Sequence, residues 1–290
     1  MEKIEAKAFI NCANMTLLDL SHNRISDIPK FTFDETTYAN ELQLSFNYLT
    51  NMSQIPLHNQ TGIKILNVSH NEIVAIPKNT FPKLYELHTI DLSHNKLTEM
   101  HNAVLQPLFS LRSLNLSHNN LNIIKPPTFG TLPTLLEMDL SDNNLTDIAK
   151  GALTKLASLR FLNLENNLLE RIFQIPISLN YLNLNNNSIA EIVEETWPVM
   201  NALLSINLNN NKLGNNLRGG SFSGLLTLQS LYLNNNKMTQ IPWESLAGLT
   251  TLQYLHLANN NITELRKGAF GKLPVVFELN LYNNQINNIR

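Results

Sequence analysis

At 290 residues, with 43% hydrophobic and 15% charged side chains, the chain is long and apolar enough for a large core, which sets aside wholesale disorder and collagen-like or disulfide-rich scaffolds. Its formal charge of -2, with signs mixed along the chain, leaves no basic stripe for nucleic acid and no polybasic cluster for lipid headgroups. No apolar run approaches the ~20 residues that span a bilayer, and Met1, Glu2, Lys3, Ile4 and Glu5 are too charged for an export signal, so this segment is expected to carry neither signal nor anchor and not to insert into a membrane.

In chain order the first landmarks are Ile4, Phe9, Cys12 and Met15, in the register held later by Ile76, Phe81, Leu84 and Leu87. The chain is therefore expected to begin inside a repeat. Cys12, at a core leucine position, reads as a buried thiol and, being the only cysteine, excludes an internal disulfide. A pattern L-x-x-L-x-L-x-x-N-x-L, with aliphatic substitutes at some leucines, then recurs twelve times. Its asparagines are Asn23, Asn47, Asn71, Asn95, Asn119, Asn143, Asn167, Asn187, Asn211, Asn236, Asn260 and Asn284. Ten of the eleven intervals are 24 or 25 residues, and the step from Asn167 to Asn187 is 20. Five residues after each asparagine stands another apolar side chain, from Ile28 to Ile289, with Asn216 the exception. Ten residues after it come Phe33, Leu57, Phe81, Leu105, Phe129, Leu153, Trp197, Leu246 and Phe270, with Phe222 displaced by one.

One such unit cannot bury its apolar side alone, so units stack and each covers its neighbours in a continuous core. The alternation within L-x-x-L-x-L has the period of a short strand, which places Leu114 and Leu116 inward and Ser113, Asn115 and Ser117 toward solvent. Twelve such strands are expected to form a parallel sheet. The asparagine follows where the chain turns away, and its amide can satisfy turn backbone that would otherwise be buried unpaired. The Phe, Leu or Trp ten residues on fills the wider convex side. The short repeat, Arg171 to Ser178, lacks a full convex segment, so curvature is expected to change there, and Gly214 with Gly219 and Gly220 marks an irregular convex loop. Neither reads as a linker: residues 1–290 are expected to be one solenoid, uncapped at both ends and so a piece of a longer protein.

The repeat pattern resembles the typical extracellular class of leucine-rich repeats found in cell-surface receptors and adhesion proteins. The stretches Phe33–Tyr38, Leu42–Thr50, Pro82–Ile90, Phe129–Met138 and Phe270–Pro274 are further similar to the chaoptin-like adhesion proteins of insect photoreceptor cells, largely at positions outside the repeat consensus. The resemblance implies an α/β-type solenoid, a right-handed leucine-rich-repeat horseshoe with a parallel concave sheet and a mostly irregular convex side. It also implies a lipid-anchored (GPI-type) glycoprotein at the extracellular face of the plasma membrane, joining microvillar membranes through contact with another copy of itself.

Asn14, Asn51, Asn59, Asn67, Asn115, Asn144, Asn186 and Asn261 are candidate N-glycosylation sites. The asparagine and serine that the repeats demand would produce about six such motifs by chance, so export rests on the resemblance. His70, His94 and His118 share one position of three consecutive repeats, yet this is a solvated position just before the ladder asparagine, where His22 also sits; no metal and no cofactor is expected. Glu137, Asp139, Asp142 and Glu165, with Asp91 nearby, cluster on the concave side. An open, solvated sheet neither perturbs carboxylates nor excludes water, which favours a charged contact patch over acid-base catalysis. There is no phosphate loop, nucleophile elbow or zinc motif, and no enzyme is expected. In the C-terminal half, Phe161, Tyr181, Tyr232, Tyr254 and Tyr282, with His256, occupy concave strand positions that in earlier repeats carry mostly Ser, Asn, Asp, Glu and Thr. Aromatic side chains exposed on a rigid sheet are what protein-binding surfaces use. The sequence therefore points to a protein-binding adhesion module, expected to be homophilic. A ligand-capturing receptor ectodomain and an intracellular interaction scaffold are the alternatives.

Overall fold

The computed structural model describes residues 2–270 and 272–289; Met1, Gly271 and Arg290, used above for the chain ends and the C-terminal resemblance, lie outside the described residues. The chain divides into two compact units, Met1–Asn144 with Gly151–Leu159, and Leu145–Lys150 with Arg160–Arg290. Each is a parallel-strand solenoid.

In the first unit the strands Leu17–Asp19, Glu41–Gln43, Ile65–Asn67, Thr89–Asp91, Ser113–Asn115 and Glu137–Asp139 pair in parallel with their neighbours in chain order. The register is continuous through their middle residues: Leu18, Leu42, Leu66, Ile90, Leu114 and Met138. In the second unit Phe161–Asn163, Tyr181–Asn183, Ser205–Asn207, Ser230–Tyr232, Tyr254–His256 and Glu278–Asn280 do the same, with Leu162, Leu182, Ile206, Leu231, Leu255 and Leu279 in line. A three-residue strand turns one side chain inward and two outward. Accordingly the middle residues from Leu18 to Leu255 are buried in both units, while Leu279 in the last strand is exposed.

Behind the sheet, Phe33, Leu57, Phe81, Leu105, Phe129, Leu153, Trp197, Phe222 and Leu246 are buried and fill the opposite side, and Phe270 is half-buried. Among the described residues the backbone there is mainly turns, with one 3-10 turn at Met52–Gln54 and one short helix at Trp243–Leu246. Among the described residues no helix is long and apolar enough to cross a membrane.

The asparagines tie each repeat to the one before. Asn95 Nδ2 donates to the carbonyls of Leu92 (3.0 Å) and Ser93 (3.1 Å) in its own turn and of Val68 (3.1 Å) one repeat back, while its Oδ1 accepts from the Ile73 amide at 3.0 Å. Asn47, Asn71, Asn119 and Asn143 repeat this pattern in the first unit, and Asn187, Asn211 and Asn260 in the second. Just before each ladder asparagine the backbone takes the left-handed conformation, with φ between 52° and 56° from His22 to Asn283.

The structure corrects three expectations. Ser117 is buried, not solvent-facing, as are Ser45, Ser69, Ser93 and Ser141. The strand has ended two residues earlier and the chain is already turning: Asn115 Oδ1 accepts the Ser117 amide at 3.0 Å. Cys12 is only half-buried, and its thiol faces the Ile10 carbonyl at 3.7 Å. Tyr282 is not a strand residue, since that strand ends at Asn280. In the short repeat Ile172 is half-buried and Phe173 is buried instead, so the core closes one residue later.

Replacing Asn95 by alanine strands the Ile73 amide and three carbonyls in a dry turn. Asn95→Ala is expected to lower unfolding free energy by about 1–3 kcal/mol, and Asn284→Ala, at a half-buried position, by less. Urea denaturation of both variants measures this, and equal effects would contradict the burial argument.

Candidate functional site

The six aromatic and imidazole side chains singled out from the sequence all fall in the second unit, where strand register sorts them. Phe161 and Tyr181 are direct register partners at the first strand position. Their rings stack at 4.6 Å with 4° between planes, and they are 44% and 42% exposed. Along the same row come Ser205, Ser230, Tyr254 and Glu278. Tyr232 and His256 are partners at the third position, stacked at 4.7 Å, and His256 Nε2 stands 3.5 Å from Glu278 Oε1. The structure therefore gathers two stacked pairs, separated by the small side chains of Ser205 and Ser230, with Tyr254 exposed in the first row. Tyr282 stands apart from these rows. Its amide donates to Asn280 Oδ1 at 2.9 Å and its carbonyl accepts from Asn259, which makes it a turn residue in the register of Ala258, 75% exposed.

The acidic residues have local partners. Asp91 Oδ1 accepts the Ser93 amide at 2.9 Å, and Asp139 Oδ1 accepts the Ser141 amide at 2.8 Å and its hydroxyl at 2.6 Å. These are the turn-closing bonds that Asn67, Asn115, Asn183 and Asn207 make at the same position. Asp19 does this too, and the Ser21 hydroxyl, then the Ser21 amide, hold its carboxyl below the ordinary aspartate value. Asp142 faces His118 at 3.4 Å, Glu137 is exposed at a first strand position, and Glu165, in the second unit, accepts from Asn183 (3.0 Å) and Asn185 (2.7 Å). Among the described residues no three His, Cys, Asp or Glu side chains converge as metal ligands.

His70, His94 and His118 belong to a feature that the sequence reading missed. With His22 and Phe46 they form one continuous ring stack, at centroid separations of 4.2, 4.0, 3.9 and 4.0 Å and interplanar angles of 9° to 12°. Parallel imidazoles carry their nitrogen lone pairs in parallel planes, so the geometry suits ring contact and not convergence on an ion. The signal was present as an aromatic or imidazole ring at one repeat position from His22 to His118, including Phe46. Strand spacing of ~4.8 Å obliges such rings to touch.

The glycosylation motifs differ in accessibility. Asn14, Asn59, Asn144, Asn186 and Asn261 are exposed, whereas Asn51, Asn67 and Asn115 are half-buried. The Asn51 side chain caps the turn at Met52–Gln54, and Asn186 Nδ2 donates to Asn166 at 2.7 Å.

The leucine rich repeat family model matches residues 13–73, 38–97, 61–121, 109–169, 214–262 and 250–290. No curated protein matches the chain. Among solved structures, a leucine-rich-repeat protein of Leptospira interrogans superposes with a TM-score of 0.79 at 25% identity, covering 100% of this chain and 72% of that one. The mouse RP105/MD-1 complex gives 0.83 at 25% identity, over 94% of this chain and 47% of that one. The glycosylated Drosophila Toll–Spatzle complex gives 0.78 at 20% identity, over 98% and 43%. The chain thus spans less than half the length of the mouse and Drosophila chains.

The ring stack can be weighed by exchanging Phe46, at φ 55°, for two residues that both tolerate that backbone. Phe46→His keeps a ring between His22 and His70, and Phe46→Asn removes it. At neutral pH the histidine variant is expected to be the more stable by about 0.5–1.5 kcal/mol in urea unfolding; equal stability would show that the rings contribute nothing.

Proposed function

The chain belongs to the leucine-rich-repeat family, and from that premise we propose that it is a protein-binding module of a cell-surface adhesion protein, engaging another copy of itself. The observation that carries the reading is the pair of ring stacks, Phe161 on Tyr181 and Tyr232 on His256, standing with Tyr254 on a sheet face of the second unit whose other strand positions are Ser and Asn with the single Glu278. Stacked rings are already ordered, so a partner that covers them gains apolar contact while little side-chain entropy is lost. Tyrosine adds a polar tip that remains satisfied at the rim of a contact. Asp91, Glu137, Asp139 and Asp142 act in this reading as a secondary polar contact surface of the first unit, and Glu165 as a polar contact of the second.

The homophilic part, the lipid anchor, the extracellular face of the plasma membrane and the photoreceptor setting rest on the sequence similarity of Phe33–Tyr38, Leu42–Thr50, Pro82–Ile90, Phe129–Met138 and Phe270–Pro274 to chaoptin-like proteins. The receptor-ectodomain alternative is favoured by one observation: the mouse and Drosophila relatives are complexes with separate partners. Beads coated with the chain distinguish the two. A homophilic module clusters them without any added ligand, whereas a receptor module leaves them dispersed.

Two outcomes are expected. Phe161→Ala with Tyr181→Ala, and separately Tyr232→Ala with Tyr254→Ala, should each weaken self-association by about 2–4 kcal/mol with little change in thermal stability, since these side chains lie outside the core. Asp91→Asn with Asp139→Asn should do less. Bead clustering as strong as the parent's in both aromatic variants would place the contact elsewhere. Expression through an insect secretory route should give a product that shrinks on N-glycan removal, with mass spectrometry finding occupancy at Asn14, Asn59, Asn144 and Asn261 ahead of Asn67 and Asn115. An unmodified cytosolic product in native tissue would instead support the scaffold alternative.

A further inference from the structure

Four of the chain's eight histidines lie in the single column His22, Phe46, His70, His94, His118, and its last imidazole faces Asp142. The backbone fixes the pitch. The amides of His22, Phe46, His70, His94 and His118 donate to the carbonyls of Ser45, Ser69, Ser93, Ser117 and Ser141 at 2.9, 3.1, 3.0, 3.0 and 3.0 Å. These bonds fix the spacing of the backbone that carries the rings, and the stacked rotamers keep the rings at that spacing.

Neutral imidazoles attract one another in this arrangement, and imidazoliums repel. Charged groups from every neighbouring repeat bear on the balance. Asp19 lies near His22, Asp142 is paired with His118, and His94 meets His70 on one side and His118 on the other, with Asp91 and Asp142 as its only attractive charges among the acting groups. Asp19 and Asp142 stand at the two ends of the column, whereas His94 has an imidazole on either face. Partial burial first, then His118 and His70, push the His94 imidazole below the ordinary histidine value.

The second unit shows that the turn itself needs no ring. Asn166, Asn186, Asn210, Asn235, Asn259 and Asn283 hold the same left-handed position there, at φ from 53° to 56°. The rings of the first unit are therefore an addition to the fold, and what sets four of the five apart is that they are imidazoles, which can take up a proton.

We propose that the His22–His118 column is a proton-sensitive seam: its stacked rings clamp the turn edge of the first unit, and on mild acidification a charge on His94, held between two further imidazoles, is opposed by that spacing, so that edge loosens. This goes beyond the adhesion reading and does not depend on it. The sign follows from linkage. A histidine whose folded value lies below its unfolded one contributes stability that is complete above 6.5, the ordinary value, and is lost as pH falls below 6.5 toward the folded value. Carboxylates such as Asp19 act only in more acidic solution.

The test uses the whole chain. Ring-proton NMR should show His94 titrating below 6.5. In thermal unfolding, the midpoint of the parent should fall between pH 7.5 and 5.5 by about 2–4 °C more than that of the double variant His70→Asn with His94→Asn, which borrows the side chain used by the second unit. His94 titrating at or above 6.5 would overturn the proposal, as would an equal fall in parent and variant. Should the double variant not fold, the His94 titration decides alone.

Discussion

From Asn47 onward each ladder asparagine closes its own turn and binds the backbone of the repeat before it, and the rest of the structure depends on that double engagement. Asn95 reaches Val68 and Ile73 as well as Leu92 and Ser93, so a repeat is complete only when its successor supplies the amide. The apolar column behind the sheet provides most of the driving force. It is non-directional, however, and leucines at 24-residue intervals could slide. The asparagine removes that freedom, because a shifted repeat would leave buried carbonyls and amides unpaired. In-register rows of side chains on the sheet face are a consequence.

Once rows exist, a side chain is placed mainly by its repeat position. The left-handed residue before each asparagine illustrates this. Rings there touch in the first unit because the backbone brings them within stacking distance, and asparagines there join side chain to side chain, as Asn186 with Asn166 and Asn283 with Asn259. The same geometry explains why the aromatic surface is two pairs and not one field: Phe161 and Tyr181 share the first row, Tyr232 and His256 the third, and serines occupy the first row between Tyr181 and Tyr254.

Much of this was legible in the sequence. The period of the asparagines gave the strands, their parallel order and the buried Phe, Leu and Trp positions, because those follow from the repeat alone. What escaped was set by where a strand stops. Ser117 and Tyr282 look like strand residues in an alternating pattern, but an asparagine two residues earlier folds the chain over, and only the backbone reveals the change. Cys12 stands in the register of a core leucine yet is only half-buried, while Ile4 of the same repeat is buried. The Phe46 ring joined no candidate group because it was read by chemical type and not by row. Among histidines it completes a stack; as a lone phenylalanine in the sequence it is unremarkable.

The short repeat between Asn167 and Asn187 lacks four residues relative to the 24-residue period, yet Phe161 and Tyr181 remain direct neighbours in register. Length changes are absorbed behind the sheet, and its front keeps a constant pitch. Such a face is graduated like a ruler: insertions and deletions can reshape the back without altering the marks, and groups on the front can be exchanged but not displaced by fractions of a step. Within either unit a partner with no repeat of its own can match only a few graduations before it drifts out of phase, whereas a partner that repeats at this pitch stays in step with the row.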